Sequence, residues 1–550
     1  MKCRWLAICL AVGISWQTSA VAEIGDPTIQ TDHPQYPGEG AFQTPEACAR
    51  WATAGAKSDQ DRALALYNWI LTHQWHNASP QEWNVPGVTP GQRPDDTEMV
   101  VYDANRGRFS YGFGLCGTVH AWNEVYWRAL GMPARRRAFP GHTNSDVFLD
   151  GKWRTFDTDM AGIVFNRDGS VAGYDDIARD LTLLDFKKTP WPRYPFAWPQ
   201  DFEAMRAGWK QVAAGGHWYS LYASGYAAQP AVVHLRTGES FTRYFDPDAF
   251  GGPSQRRFWH RQPGGPDRLW TFANGGTPSH DGDKSNCRGH TTYGNAVFEY
   301  VPDLTGDTFR EGVADLSNAT ASPTGLRAVD GKAASVVFEH FSPYVICGDP
   351  VDDEDPLQHA ATDGLVVAGF FNGEIKAQIS ADQGQSWQVL PTQHDSVRWD
   401  LTEHVKGRYG WRLKLSWSGA AAVRELRLTT TCQLSQAIYP RLKPGGSTVT
   451  YRSGGQAVVP VLPRLEDEAA TVRDFEDRAK RSSNLDFVGR RPGQHAAYAT
   501  RGPQPASVVF RINSSTPLVG LSAAARFSTR SPSPPGSEFG LSWSIDNGAT

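Results

Sequence analysis

Apolar residues near the N-terminus recur at helical spacing. Over residues 58–74, Ala63, Leu66, Tyr67, Ile70 and Leu71 share one face, and Asp59, Asp61 and Arg62 mark the start. A preceding helix is expected over 43–55. Between 77 and 96, Pro80, Pro86, Pro90 and Pro94 break any period, which predicts a loop. Val119, Trp122, Tyr126 and Ala129 then follow i, i+3, i+7, i+10, and Gly131 with Pro133 stops that helix. Past about residue 215 the helical signal fades. Short alternating runs, as at 232–235 and 336–338, are separated by Gly, Pro, Asn and Asp, which predicts strands.

The β part repeats itself. The string ASVVF at 334–338 returns at 506–510, and each copy is followed by a Ser-x-Asp-x-Gly turn, at Ser380, Asp382 and Gly384 and again at Ser544, Asp546 and Gly548. A duplicated β-sandwich is expected, its first copy lengthened by the acidic segment 348–355. The turn from Ser380 to Trp387 resembles the Asp-box hairpin of sialidases, in which Asp caps the turn and Trp packs beneath. That device serves folding and implies no sialidase activity. The second copy stops at Thr550, one position before its matching Trp, so that module is expected to be incomplete.

The chain has 550 residues, several times the usual domain, with 40% hydrophobic and 20% charged positions, 54 Gly and 37 Pro. This suits turn-rich globular units and argues against coiled coil or general disorder. Net charge is -4, which offers no basic field for nucleic acid. Lys2 and Arg4, an apolar run from Trp5 to Trp16, and Ala20-Val21-Ala22 have the order of an export signal cut after Ala22. The run is too short to span a bilayer, so a secreted or periplasmic chain without a membrane span is expected. Cys48, Cys116, Cys287, Cys347 and Cys432 survive that cut. Four can pair and one stays a thiol. Cys347 with Cys432 is one plausible bridge, and Cys48 with Cys287 is what remains.

Cys116 falls at the first turn of the helix over 116–129, where backbone N–H groups and the helix dipole favour an anionic sulfur. Asp150-Gly151 is a two-residue hairpin signal. Its register sets 149 opposite 152, His142 opposite Asp159 and Asn144 opposite Asp157, all four on one face, with Asp157 diagonal to His142. Thiol, imidazole and carboxylate in these positions suit nucleophilic acyl transfer, with Cys116 as nucleophile, His142 as base and Asp157 orienting it. Asp159 is the alternative carboxylate. His120, at i+4 from Cys116, is the alternative imidazole, with packing or lining the cleft as its expected role. Arg135, Arg136 and Arg137 read as a solvated loop or as contacts to an acidic substrate. The acids at 349–355 could hold Ca²⁺ but read as a solvated loop, and Asp281-Gly282-Asp283 reads as a turn. No cofactor and no metal is expected.

Gly114-Leu115-Cys116, the run Arg128 to Arg135 (RALGMPAR), His142, Gly151-Lys152-Trp153 and Asp157 occur in that order, with fifteen positions from His142 to Asp157. This pattern resembles the transglutaminase-like domain, a relative of the papain-like cysteine proteases. It is specific over about 58–160 and extends loosely to 215. It departs from the family at His142-Thr143-Asn144-Ser145-Asp146, which lacks a Trp after the base and has Asp for Glu. The resemblance implies a multidomain chain: an α+β papain-like N-terminal domain followed by mainly β sandwich domains. The expected layout is a signal at 1–22, a transglutaminase-like domain at 23–215, a β-rich connecting domain at 216–305, a sandwich at 306–445, a linker at 446–475 and a second sandwich at 476–550. The activity implied is cleavage of amide or peptide bonds through a thioester, with hydrolysis favoured over crosslinking. Its partners would be a protein or peptide substrate and, through the β modules, a cell-envelope or extracellular glycan. The alternative is an idle catalytic fold carrying adhesive or glycan-binding sandwiches.

Overall fold

The structure, a computed structural model, describes residues 6–12, 44–71, 74–76, 103–114, 116–139, 142–159, 162–184, 235–244, 296–350, 361–435, 448–452, 479–487, 504–512 and 539–544, with a few shorter stretches between them. The loop at 77–96, Asp281–Asp283, Cys287, most of the acidic segment and the turn after Ser544 lie outside the described residues. The described chain is β-rich, with few helices and large sheets. Among the described residues no helix is long and apolar enough to cross a membrane.

Helix α1 (Pro45–Ala52) starts at Thr44, whose hydroxyl accepts the Ala47 N–H at 3.1 Å while Pro45 needs no N–H partner. Helix α2 (Asp59–Leu71) buries Ala63, Leu66, Tyr67, Ile70 and Leu71, the face its spacing foretells. Helix α3 (Cys116–Ala129) packs against both and against an antiparallel sheet. The strands of that sheet are β1 (Ala134–Phe139), β2 (His142–Leu149), β3 (Lys152–Phe156) and β4 (Leu221–Tyr222), in the order β3-β2-β1-β4. Helix α3 ends where Gly131, at φ +76, lets the Met132 N–H reach back to the Trp127 carbonyl at 3.1 Å. Asp150 and Gly151 both have positive φ, which gives the β2–β3 turn the twist that the strands need. Phe156 closes the layer from the sheet side, its ring 5.0 Å from Trp127 of α3 and 5.8 Å from Tyr67 of α2.

The larger sheet system contains β5 (Glu239–Tyr244), β6 (Ala296–Tyr300), β7 (Val313–Ser317), β8 (Ala334–Phe341), β9 (Leu365–Ser380), β10 (Gly410–Trp417), β11 (Ala422–Gln433) and β12 (Thr448–Arg452). Their order is β7-β8-β10-β9-β11-β6-β5-β12. Strand β9 belongs to two layers. Its first half, residues 365–372, pairs with β11, and its last five residues pair with β10, with Gly373 at φ +80 between them. A strand that changes sheets in this way makes the corner of a sandwich. Alternation along β10 sends Trp411, Leu413, Leu415 and Trp417 inward against Val336 and Phe338 of β8. Each such fully buried side chain is worth about 1.5–3 kcal/mol. The system takes β5 and β6 from the expected connecting domain and β12 from the expected linker, so it runs across both boundaries. The Asp382 carboxylate accepts the Ser380 hydroxyl, the Ser386 N–H and the Ser386 hydroxyl at 2.7, 2.9 and 2.6 Å, and the Trp387 indole donates to the Gly384 carbonyl.

A smaller sheet contains β13 (Ala479–Ser483), β14 (Ala506–Ile512) and β15 (Phe539–Ser544). It repeats the β7–β8 pairing with the same one-residue bulge. Leu6–Val12, within the expected export signal, forms a parallel strand between β14 and β15. It occupies the place that β10 holds, running antiparallel, between β8 and β9.

The helical region and the sandwich meet at the turn Gly107–Tyr111. The Ser110 hydroxyl donates to the Pro343 carbonyl and accepts the Val345 N–H, and the Gln433 amide donates to the Ser110 carbonyl. The Tyr409 hydroxyl donates to that of Tyr111 at 3.1 Å, and the Arg106 guanidinium lies 3.9 Å over the Tyr409 ring. Cys347 and Cys432, the expected bridge, are both buried thiols, Cys432 on β11 and Cys347 just after the short strand Val345–Ile346 that pairs with it, and burial pushes the Cys432 thiol well up. Cys48 is also a buried thiol, pushed up to about 12 chiefly by burial.

Candidate active site

The N-terminus of α3, the start of β2 and the end of β3 converge on one point. Cys116 is the first residue of α3 and is half-buried, and Gly114 before it leaves room for Val119, which a Cβ would approach to 3.1 Å. His142 is the first residue of β2 and is buried. The expected hairpin register holds from Leu149↔Lys152 to Ser145↔Phe156 and stops there. Asp157 leaves the ladder and exchanges backbone hydrogen bonds with Gly162, both at 2.9 Å. The expected oppositions of His142 with Asp159 and of Asn144 with Asp157 are therefore not formed as strand pairs. The side chain of Asp157 nevertheless reaches His142, with Oδ2 2.6 Å from Nε2.

This bond commits one ring nitrogen to Asp157 and leaves Nδ1 on the side of Cys116 and Asp159. Nδ1 is 4.0 Å from Asp159 Oδ2, and the Cys116 sulfur, a ring nitrogen of His142 and an Asp159 oxygen lie within 4.8 Å of one another. Burial alone would lower the pKa of His142, but the charge and hydrogen bond of Asp157, with Cys116 adding to them, hold it well above the usual imidazole value. For Asp157, burial alone would raise the value. The charge of His142 and hydrogen bonds from His120 and His142 hold it well below the usual carboxylate range. The arrangement is a buried carboxylate–imidazole pair beside a sulfur at a helix start, disposed to hold the proton that the sulfur gives up.

Two overlapping groups could offer three ligand atoms to a metal: Cys116, His142 and Asp159, and His120, His142 and Asp157. In the second, the 2.6 Å separation of His142 and Asp157 is that of a hydrogen bond, closer than two ligands sit around one zinc.

The remaining polar groups of this layer are spoken for. Glu124, buried on α3, accepts from Arg128 at 2.8 Å and from Arg136 of β1 at 2.9 Å, and burial against those charges pushes it up to about 7. Arg135 and Arg137 both pair with Asp146 of β2. The three arginines therefore lie on a strand and tie it to its neighbours, which corrects the reading of a solvated loop. His120 is fully buried, with Nε2 3.5 Å from Asp157 Oδ1 and Nδ1 2.8 Å from the Ser145 hydroxyl. The sequence offers it as the alternative imidazole, with packing or lining the cleft as the expected role. Its signal is a polar stripe, Cys116, His120 and Asn123 at i, i+4, i+7 along the helix.

No family model matches this chain, and no curated protein matches it.

Proposed function

We propose that the N-terminal part is a transglutaminase-like, papain-related catalytic domain of an exported chain, and that it cleaves amide bonds of a protein or peptide through Cys116. One observation carries this reading: a carboxylate-held imidazole lies beside a thiol at a helix N-terminus. His142 takes the proton of Cys116, and the sulfur attacks the carbonyl carbon. The C–N bond breaks as His142 passes that proton to the leaving amine, and a thioester remains. Water, deprotonated by His142, attacks the thioester; the C–S bond breaks, the acid leaves and the proton returns to sulfur. The backbone N–H of Cys116, at the positive end of α3, faces the developing oxyanion. Asp157 keeps His142 oriented throughout and stabilises the imidazolium in the steps in which His142 holds the proton.

The test is Cys116→Ala on the full chain. Iodoacetamide labelling at mild pH and turnover of a panel of glutamine and peptide amides are both expected to vanish. Retained turnover would remove the mechanism. Uptake of ¹⁸O from water into the acid product, against incorporation of a labelled amine, separates hydrolysis from transfer.

A further inference from the structure

The imidazole of His120 ends a hydrogen-bonded chain that starts at the sandwich. Arg108 lies on the turn Gly107–Tyr111, the segment bolted to the sandwich through Ser110. Its guanidinium is held between two rings, 4.4 Å from Trp69 and 4.3 Å from Tyr126. That turn is pressed against α3: a Cβ on Gly107 would fall 2.3 Å from the Trp122 indole. Arg108 Nη2 donates to Asn123 Oδ1 at 3.1 Å. Arg has only donors, so Asn123 must show it the oxygen and turn its NH₂ the other way. That NH₂ donates to Thr158 Oγ1 at 2.9 Å, which leaves the hydroxyl proton of Thr158 for His120 Nδ1 at 3.2 Å. The Ser145 hydroxyl, 2.8 Å from Nδ1, can donate there as well. At the far side of the ring stands the Asp157 carboxylate, which when ionised only accepts. Both sides of the ring therefore assign the proton of His120 to Nε2, the nitrogen on the Asp157 side, 3.5 Å from its Oδ1.

We infer that His120 is a positioning residue: beside the Asp159 N–H, which donates to Asp157 Oδ1 at 3.2 Å, its Nε2 at 3.5 Å helps hold that second oxygen so that the first stays on His142, and Arg108, Asn123 and Thr158 fix the tautomer that lets it do so. On this inference the sandwich is part of the site's support, because it anchors the turn from which the chain begins. The role rests on the acyl-transfer reading for its chemical use, though its geometry does not.

The experiment compares His120→Leu, His120→Gln and Thr158→Val in the full chain by two readouts. The first is the low-field proton resonance of the His142–Asp157 hydrogen bond. The second is the rate at which iodoacetamide alkylates Cys116. His120→Leu is expected to move or broaden the resonance and to slow alkylation by roughly 10- to 100-fold, the scale of losing an orienting partner. His120→Gln, whose amide can place an N–H near the Nε2 position, is expected to restore both. Thr158→Val, which keeps the volume and breaks the chain, is expected to shift the resonance in the same direction by less, and it carries the test if His120→Leu does not fold. An unchanged resonance and alkylation rate in a folded His120→Leu or Thr158→Val protein overturns the inference. Amide turnover surviving in Cys116→Ala would instead overturn the catalytic reading while the resonance still reported the chain.

Discussion

His142 and His340 are both buried to the same degree, and each has a carboxylate nearby, yet their charges are driven in opposite directions. Asp157 is 2.6 Å from His142 and 3.5 Å from His120. Glu239 is 4.0 Å from His340 but is gripped by Arg236 at 2.7 Å through each of its oxygens. The carboxylate that could have charged His340 is already neutralised. Burial and the Arg236 charge then lower His340 well below the usual imidazole value, and its ring sits between Phe298 and Trp411 as an aromatic filler. The charge state of a buried histidine thus depends on what else its neighbouring acid is paired with.

The largest expected break in this contrast comes from Asp157→Asn. It removes the charge that keeps His142 protonated and the partner that orients it, and loss of the orienting carboxylate in such an arrangement costs about 10⁴-fold. Alkylation of Cys116 measured against pH should fall most in mildly acid solution, where the wild-type pair holds. The pair also has a pH signature in stability. A raised imidazole contributes fully below its unfolded value near 6.5 and loses that contribution as pH rises through the folded value. The depressed Asp157 contributes above about 3.9 and is lost on strong acidification. Melting temperature should therefore lose this contribution at alkaline pH in the wild type and show less of that loss in Asp157→Asn.

Glu239→Gln should act next in size. It leaves the buried Arg236 without its counter-charge, at a cost of about 3–5 kcal/mol in a denaturant melt. The smallest effect is expected from His340→Phe. A lowered imidazole removes stability as pH falls below about 6.5, by at most about 1.4 kcal/mol per pH unit. A phenyl ring cannot take that proton, so the acid side of the stability curve should flatten while the value at neutral pH changes little.

The three residues that meet at the site could be named from the sequence because each is tied to a short local signal: a helix start at Cys116, and a hairpin turn that counts back to His142 and forward to Asp157. The count itself was right only as far as Phe156. Beyond it, Asp157 is placed by a backbone bridge to Gly162, which no alternation of side chains announces. The role of His120 was hidden for a related reason: spacing puts it on the face of Cys116, but only the packing of α3 on β2 and β3 brings Asp157 to its ring. The expected borders at 305 and 446 follow the run of local signals along the chain, whereas β5, β6 and β12 join the larger sheet system by pairing with strands far away in sequence. Such pairing is long-range and leaves no local trace.

The 16 residues of β9 run through both layers of the sandwich without a break in the strand. A beam common to two walls ties their fates: neither layer can peel away while its hydrogen bonds to the other half persist. Amide protons along 365–380 should then exchange only by global opening, so the β part fails as one unit rather than sheet by sheet.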